Sequence, residues 1–200
     1  MRTKRWIPKL AMFGAVPALL AGLSGCTPDF VTDNEANVIL RIVTIAGESG
    51  ADAEEGAFIN SDVVPIFNDN ARVELQALPK NPNLTGAAPF EDVLMTRYEV
   101  RYIRSDGHDR EGVDVPYRIT GGLSTLVPYD GTGEVAFVVV RHQAKFEPPL
   151  SNLVDSGQQA FNPVILTCIA EITLHGRTTT GRGVSVTGFL TINFADFANN

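Results

Sequence analysis

The chain has 200 residues and a formal charge of −7, with 16 basic and 23 acidic residues. The first 25 positions hold four of the basic residues and none of the acidic ones, so positions 26–200 keep 12 against 23 and carry −11. That balance excludes a phosphate-backbone binder, which needs clustered Lys and Arg, and a polybasic surface for lipid headgroups; solubility accounts for it.

Taken in order, Met1 to Lys9 carry Arg2, Lys4, Arg5 and Lys9 with no acid, and Leu10 to Leu23 form an uncharged, mostly apolar run of 14 residues. A basic start, a short apolar stretch and small residues before a processing site are the parts of a secretory signal. The run is shorter than the roughly 20 residues a membrane-spanning helix needs, and Pro17 interrupts it. Leu23-Ser24-Gly25-Cys26 resembles the lipobox of bacterial lipoproteins, in which the cysteine thiol is acylated and the chain is cut just before it. The resemblance implies a mature chain starting at Cys26 with more than one acyl chain, since a single chain binds membranes only marginally. Thr27, where an inner-membrane retention signal would have Asp, points by the same resemblance to the outer membrane. The expected organisation is a removed signal peptide at 1–25, a lipidated cysteine and polar tether at 26–36, and one β-sandwich domain at 37–200. A mature length of 175 residues is enough for one domain with a substantial core.

From Asn37 onward the chain reads as short strands separated by turn residues. Candidates in order are Val38–Ile45, Val63–Phe67, Val73–Leu78, a run around Tyr98, Val100 and Tyr102, and a run in which Val113, Val115, Tyr117 and Ile119 alternate with polar residues. The last two flank Asp106-Gly107, a strong turn signal. Pro116 lacks an amide donor, so its strand should be an edge or carry a bulge. Leu123–Val127 is a further short candidate, Val135–Val140 is apolar on both faces as expected of a central strand, and Leu150–Ala160 could hold a helical turn. The clearest pattern is near the C-terminus. Val184, Val186, Gly188, Leu190, Ile192 and Phe194 alternate with polar residues and Phe189 over eleven positions, and pair naturally with residues 164–174 in a long hairpin. Cys168 lies on the apolar face of the earlier strand and reads as a core thiol. About eight or nine short strands with few helix signals mean a sandwich or barrel.

Residues from about Val73 to Phe197 resemble an immunoglobulin-like or fibronectin-III-like sandwich domain. GVDVPYRITGG, VVVRHQAKFEPPL and AEITLHGRTTTGRGVSVTGFLTINFADF are similar to segments of a group of short, uncharacterised bacterial lipoproteins. The resemblance implies an all-β fold, a single antiparallel immunoglobulin-like β-sandwich, and an envelope address. It carries over no functional residue.

Catalytic spacing is missing from the sequence. His108, His142 and His175 form no HExxH and no zinc pair, no phosphate or dinucleotide fingerprint follows a strand, and the one G-x-S-G string lies in the signal. Three features remain. Asp106, Asp109, Glu111 and Asp114 crowd one turn and could supply part of a calcium site, although Arg104 and Arg110 beside them favour a solvated turn. Glu48, Asp52, Glu54 and Glu55 sit among small residues and read as a mobile loop. Arg141, Lys145 and Phe146 precede Pro148-Pro149 and form a local basic and aromatic patch that could meet a partner; a strand running into a rigid connection is the structural alternative. The expected function is therefore a non-enzymatic binding or accessory module, lipid-anchored through Cys26 and without a cofactor. Its expected partner is an envelope protein or glycan and not a nucleic acid. An envelope hydrolase with a dispersed active site is the alternative.

Overall fold

The computed structural model describes residues 36–50, 55–64, 67–80, 91–154 and 164–197. The longest alternating runs make the longest strands, and nine strands occur among the described residues. They are β1 (Val38–Glu48), β2 (Glu55–Gly56), β3 (Phe58–Asp62), β4 (Asp69–Pro79), β5 (Val93–Ile103), β6 (Ile119–Val127), β7 (Thr132–Val140), β8 (Leu166–Thr178) and β9 (Gly183–Ala195). They form two sheets, one in the order β2-β1-β4-β7 and one in the order β3-β9-β8-β5-β6. The chain passes from β4 to the second sheet for β5 and β6, returns to place β7 beside β4, and crosses again to place β8 beside β5. This Greek-key path over two packed sheets is an immunoglobulin-like β-sandwich. Adjacent strands are antiparallel except β3, which adds to β9 in parallel.

The period-2 patterns fall where they should. Cys168, Ala170, Ile172 and Leu174 of β8 are sealed from solvent, as are Ile192 and Phe194 of β9. The register sets Cys168 opposite Ile192 and Ile172 opposite Gly188. Fully burying each of the larger aliphatic groups contributes about 1.5–3 kcal/mol. Burial pushes the Cys168 thiol up to about 12, which suits a core group and removes thiolate reactivity at neutral pH. Across the sheets, Tyr98 stacks on Phe137 with ring centroids 4.5 Å apart. Tyr102 donates its hydroxyl to the Val139 carbonyl at 2.5 Å. Gly121 is required beside Tyr98, because a Cβ there would lie 2.3 Å from the ring.

Four local expectations are corrected. The apolar run Val63–Phe67 is not a strand in its described residues: Val63 is buried in a bend, and β3 lies just before it, where the free edge of β9 takes its hydrogen bonds. The run Val113–Thr120 becomes a strand only at Ile119. The Arg110 carbonyl accepts from the amides of Val113, Asp114 and Val115, and Gly112 takes a φ of 73°, so local turn bonds win over a ladder. Pro116 therefore sits outside the sheet, where its missing donor is harmless. Finally, β7 is an edge strand and not a central one. Its C-terminal valines, Val139 and Val140, are sealed because the following chain folds back over the end of the core with Ala144 and Leu150 buried.

A 3₁₀ turn at Leu150–Leu153 meets the expected helical turn; residues 155–160 lie outside the described ones. No helix among the described residues is long and apolar enough to cross a membrane.

His175 provides a pH readout of the sheet. It pairs with Arg97 and Ser185 across the five-stranded sheet, and its Nε2 is buried with no hydrogen-bond partner among the described residues. Burial, and then the charge of Arg97, lower its pKa. A histidine with a depressed folded pKa contributes stability that is present above its unfolded value, about 6.5, and is lost as pH falls through the folded value. Denaturation titrations between pH 7.5 and 5, on the order of the histidine range, should show a shallower acid loss for His175→Asn than for the wild type. Parallel curves would remove His175 from the acid response.

Candidate functional site

The register places the described loops at two ends. Asp69 pairs with Val140, Ile103 with Ile169 and Asp62 with Ala195, so the described residues 49–50, 63–64, 67–68, 104–118, 141–154, 164–165 and 196–197 share one end. Ala36 and Asn37 lie at the other, where Val38 pairs with Pro79 and Arg182 Nη1 donates to Asn37 Oδ1 at 3.2 Å. Ala36, expected in the tether, is already buried in the core. Cys26 lies outside the described residues.

Two of the three features singled out from the sequence lie wholly at the end away from Ala36. The first is the 104–118 turn. Asp106 binds Arg104, with Nε to Oδ1 at 3.0 Å and Nη2 to Oδ2 at 2.5 Å, and these bonds hold its pKa below the usual carboxylate value. Asp114 accepts from Arg110 Nε at 2.6 Å and is lowered in the same way. Glu111 binds Arg118 at 2.8 Å, and Asp109 accepts from the Arg104 amide at 2.6 Å. Four carboxylates near one turn thus form four separate pairings rather than a shared oxygen cage. Among the described residues, no group of three or more His, Cys, Asp or Glu side chains is arranged to hold a metal ion. The other acidic stretch, residues 47–56, expected to be a mobile loop, is strand at both ends, with Gly47 and Glu48 of β1 in register with Gly56 and Glu55 of β2; residues 51–54 lie outside the described ones.

The second cluster is divided by the structure. After β7, residues His142–Phe146 form a 3₁₀ turn. Arg141 is exposed and Phe146 is 65% exposed, but Lys145 points inward and is only 2% exposed. The expected partner-binding role of Lys145 is corrected: its ammonium is spent on Asp69. Lys145 Nζ lies 3.2 Å from Asp69 Oδ2 and 3.4 Å from Oδ1. The same carboxylate accepts from Ser61 Oγ at 2.5 Å and from the Gly50 amide at 2.9 Å. Gly50 must be glycine for this approach, because a Cβ would sit 2.3 Å from the Asn68 carbonyl oxygen. One residue earlier, Asn68 Oδ1 accepts the His142 amide at 2.7 Å. Asn68 and Asp69 therefore clamp the turn from below and leave Arg141 and Phe146 facing outward.

Sequence reasoning missed Ser61, Gly50 and Asp69. The chain offered one faint signal: Lys145 is one of only two lysines after Lys9, among many arginines.

Around this clamp the end carries exposed apolar side chains. Phe67, Val113, Tyr117, Phe146, Val164 and Ile165 are each about half exposed or more. The described loops of the opposite end hold no exposed large hydrophobic side chain. Compared with known proteins, the chain matches no family model and no curated protein.

Removing one partner of a buried ion pair costs about 3–5 kcal/mol, because the other charge stays buried and unpaired. Lys145→Met should lose stability on that scale in urea unfolding, whereas Phe146→Ala should stay within about 0.5 kcal/mol of wild type. A Lys145→Met loss below about 1 kcal/mol would show that the clamp carries little of the fold's stability.

Proposed function

We propose that the chain is an exported lipoprotein, anchored through acyl chains on Cys26, whose sandwich binds an envelope protein or glycan without catalysing a reaction. The address rests on the basic start, the apolar run and the lipobox-like Leu23-Ser24-Gly25-Cys26, and Thr27 favours the outer membrane. The single observation that carries the binding role is the polarity of the sandwich. The chain enters at the Ala36 end, and the exposed aromatic and aliphatic side chains of its described loops gather at the other. Strands of eleven residues separate the two ends by about 36 Å. A lipid at residue 26 would hold the entry end at the membrane, since ten residues reach at most about 36 Å, and present Arg141 and Phe146 away from it. End loops on a rigid sandwich are the usual contact surfaces of such folds.

Two measurements test the halves of this reading separately. Cys26→Ala should move the protein from the membrane to the soluble fraction; retention in the membrane would defeat the anchor. Cross-linking in intact cells followed by purification and mass spectrometry should recover a stoichiometric envelope component. Arg141→Ala with Phe146→Ala should abolish that recovery while the melting temperature holds. Undiminished recovery from the double variant would defeat the assignment of the contact to this end.

A further inference from the structure

The Asp69–Lys145 site contains more than an ion pair requires. Both side chains are sealed, at 0% and 1% exposed, and the amine faces both carboxyl oxygens at 3.2 and 3.4 Å. Two further donors, the Ser61 hydroxyl and the Gly50 amide, hold the same carboxyl group. A nucleophile, an acyl carbon and one donor on each carboxyl oxygen are parts of an acyl-transfer site, here assembled wholly from one chain and closed to substrate.

We propose that Lys145 and Asp69 condense into an internal amide, a covalent cross-link between the start of β4 and the turn that follows β7. The lysine nitrogen attacks the Asp69 Cγ and a C–N bond forms. The charge of the tetrahedral intermediate is spread over Oδ2, which faces the Ser61 hydroxyl, and Oδ1, which faces the Gly50 amide. One carboxyl oxygen then leaves. The ammonium begins with three protons; one stays on the amide nitrogen, and two depart with that oxygen as water. Ammonium plus carboxylate therefore gives amide plus water, with no oxidant, reductant or co-reactant. The proton moves within the pair: Lys145 Nζ passes one proton to Asp69 Oδ2, 3.2 Å away, which frees the amine to attack, and the second follows as that oxygen leaves as water.

Two physical effects drive the step. Fixed juxtaposition supplies effective concentrations on the order of 10⁵–10⁸ M. Burying two charges carries a desolvation cost, and the neutral amide removes both charges. Exclusion of water also withholds the reagent that would reverse the bond.

The test is peptide mapping of the purified full chain after denaturation and trypsin. A cross-linked chain should yield a branched peptide joining residues 69 and 145, lighter than its two parents by one water, with no cleavage after Lys145. Two separate peptides, cut normally after Lys145, would overturn the proposal and leave an ion pair only.

Discussion

The Asp69 carboxylate must be satisfied entirely by protein groups, because no part of it reaches solvent. A buried charge in that position is costly unless each lone pair finds a donor. The donors come from three places: Ser61 on the five-stranded sheet, Gly50 in the segment after β1, and Lys145 in the turn after β7. One unmet requirement would disturb all three segments at once. The carboxylate thereby fixes how the two sheets close at this end, and how the chain leaves β7 without opening the core.

That closure shapes what the surface offers. With Lys145 drawn inward, the positive charge of the turn is left to Arg141, and the exposed aromatic character to Phe146 and nearby Phe67. The neighbouring 104–118 turn neutralises itself, its acids engaging Arg104, Arg110 and Arg118. In a chain whose residues 26–200 are strongly acidic, the end facing away from Ala36 is therefore balanced locally and apolar in part.

Much of the sandwich was legible beforehand. The β8–β9 hairpin follows from alternation alone, since successive side chains of any strand point to opposite faces. The same reasoning failed at Val113–Thr120, where the apolar spacing was right and the backbone was not, because a glycine with positive φ and the Arg110 carbonyl closed a turn first. It also misjudged Val135–Val140. An apolar run records burial, and burial there came from the chain folding over the end of the core rather than from a strand on each side.

The sequence by itself determined which residues of each strand face inward, and so the fold class, because period-2 burial is a property of the local backbone. It also determined the acidity of residues 26–200 and the basic-then-apolar N-terminus, which are properties of composition and order. Only the tertiary structure decided the fate of Lys145. Whether a lysine lies on the surface or in the core depends on whether a counter-charge meets it there, and Asp69 arrives from 76 positions away. No local pattern encodes that meeting; it exists only once the two sheets have closed on each other.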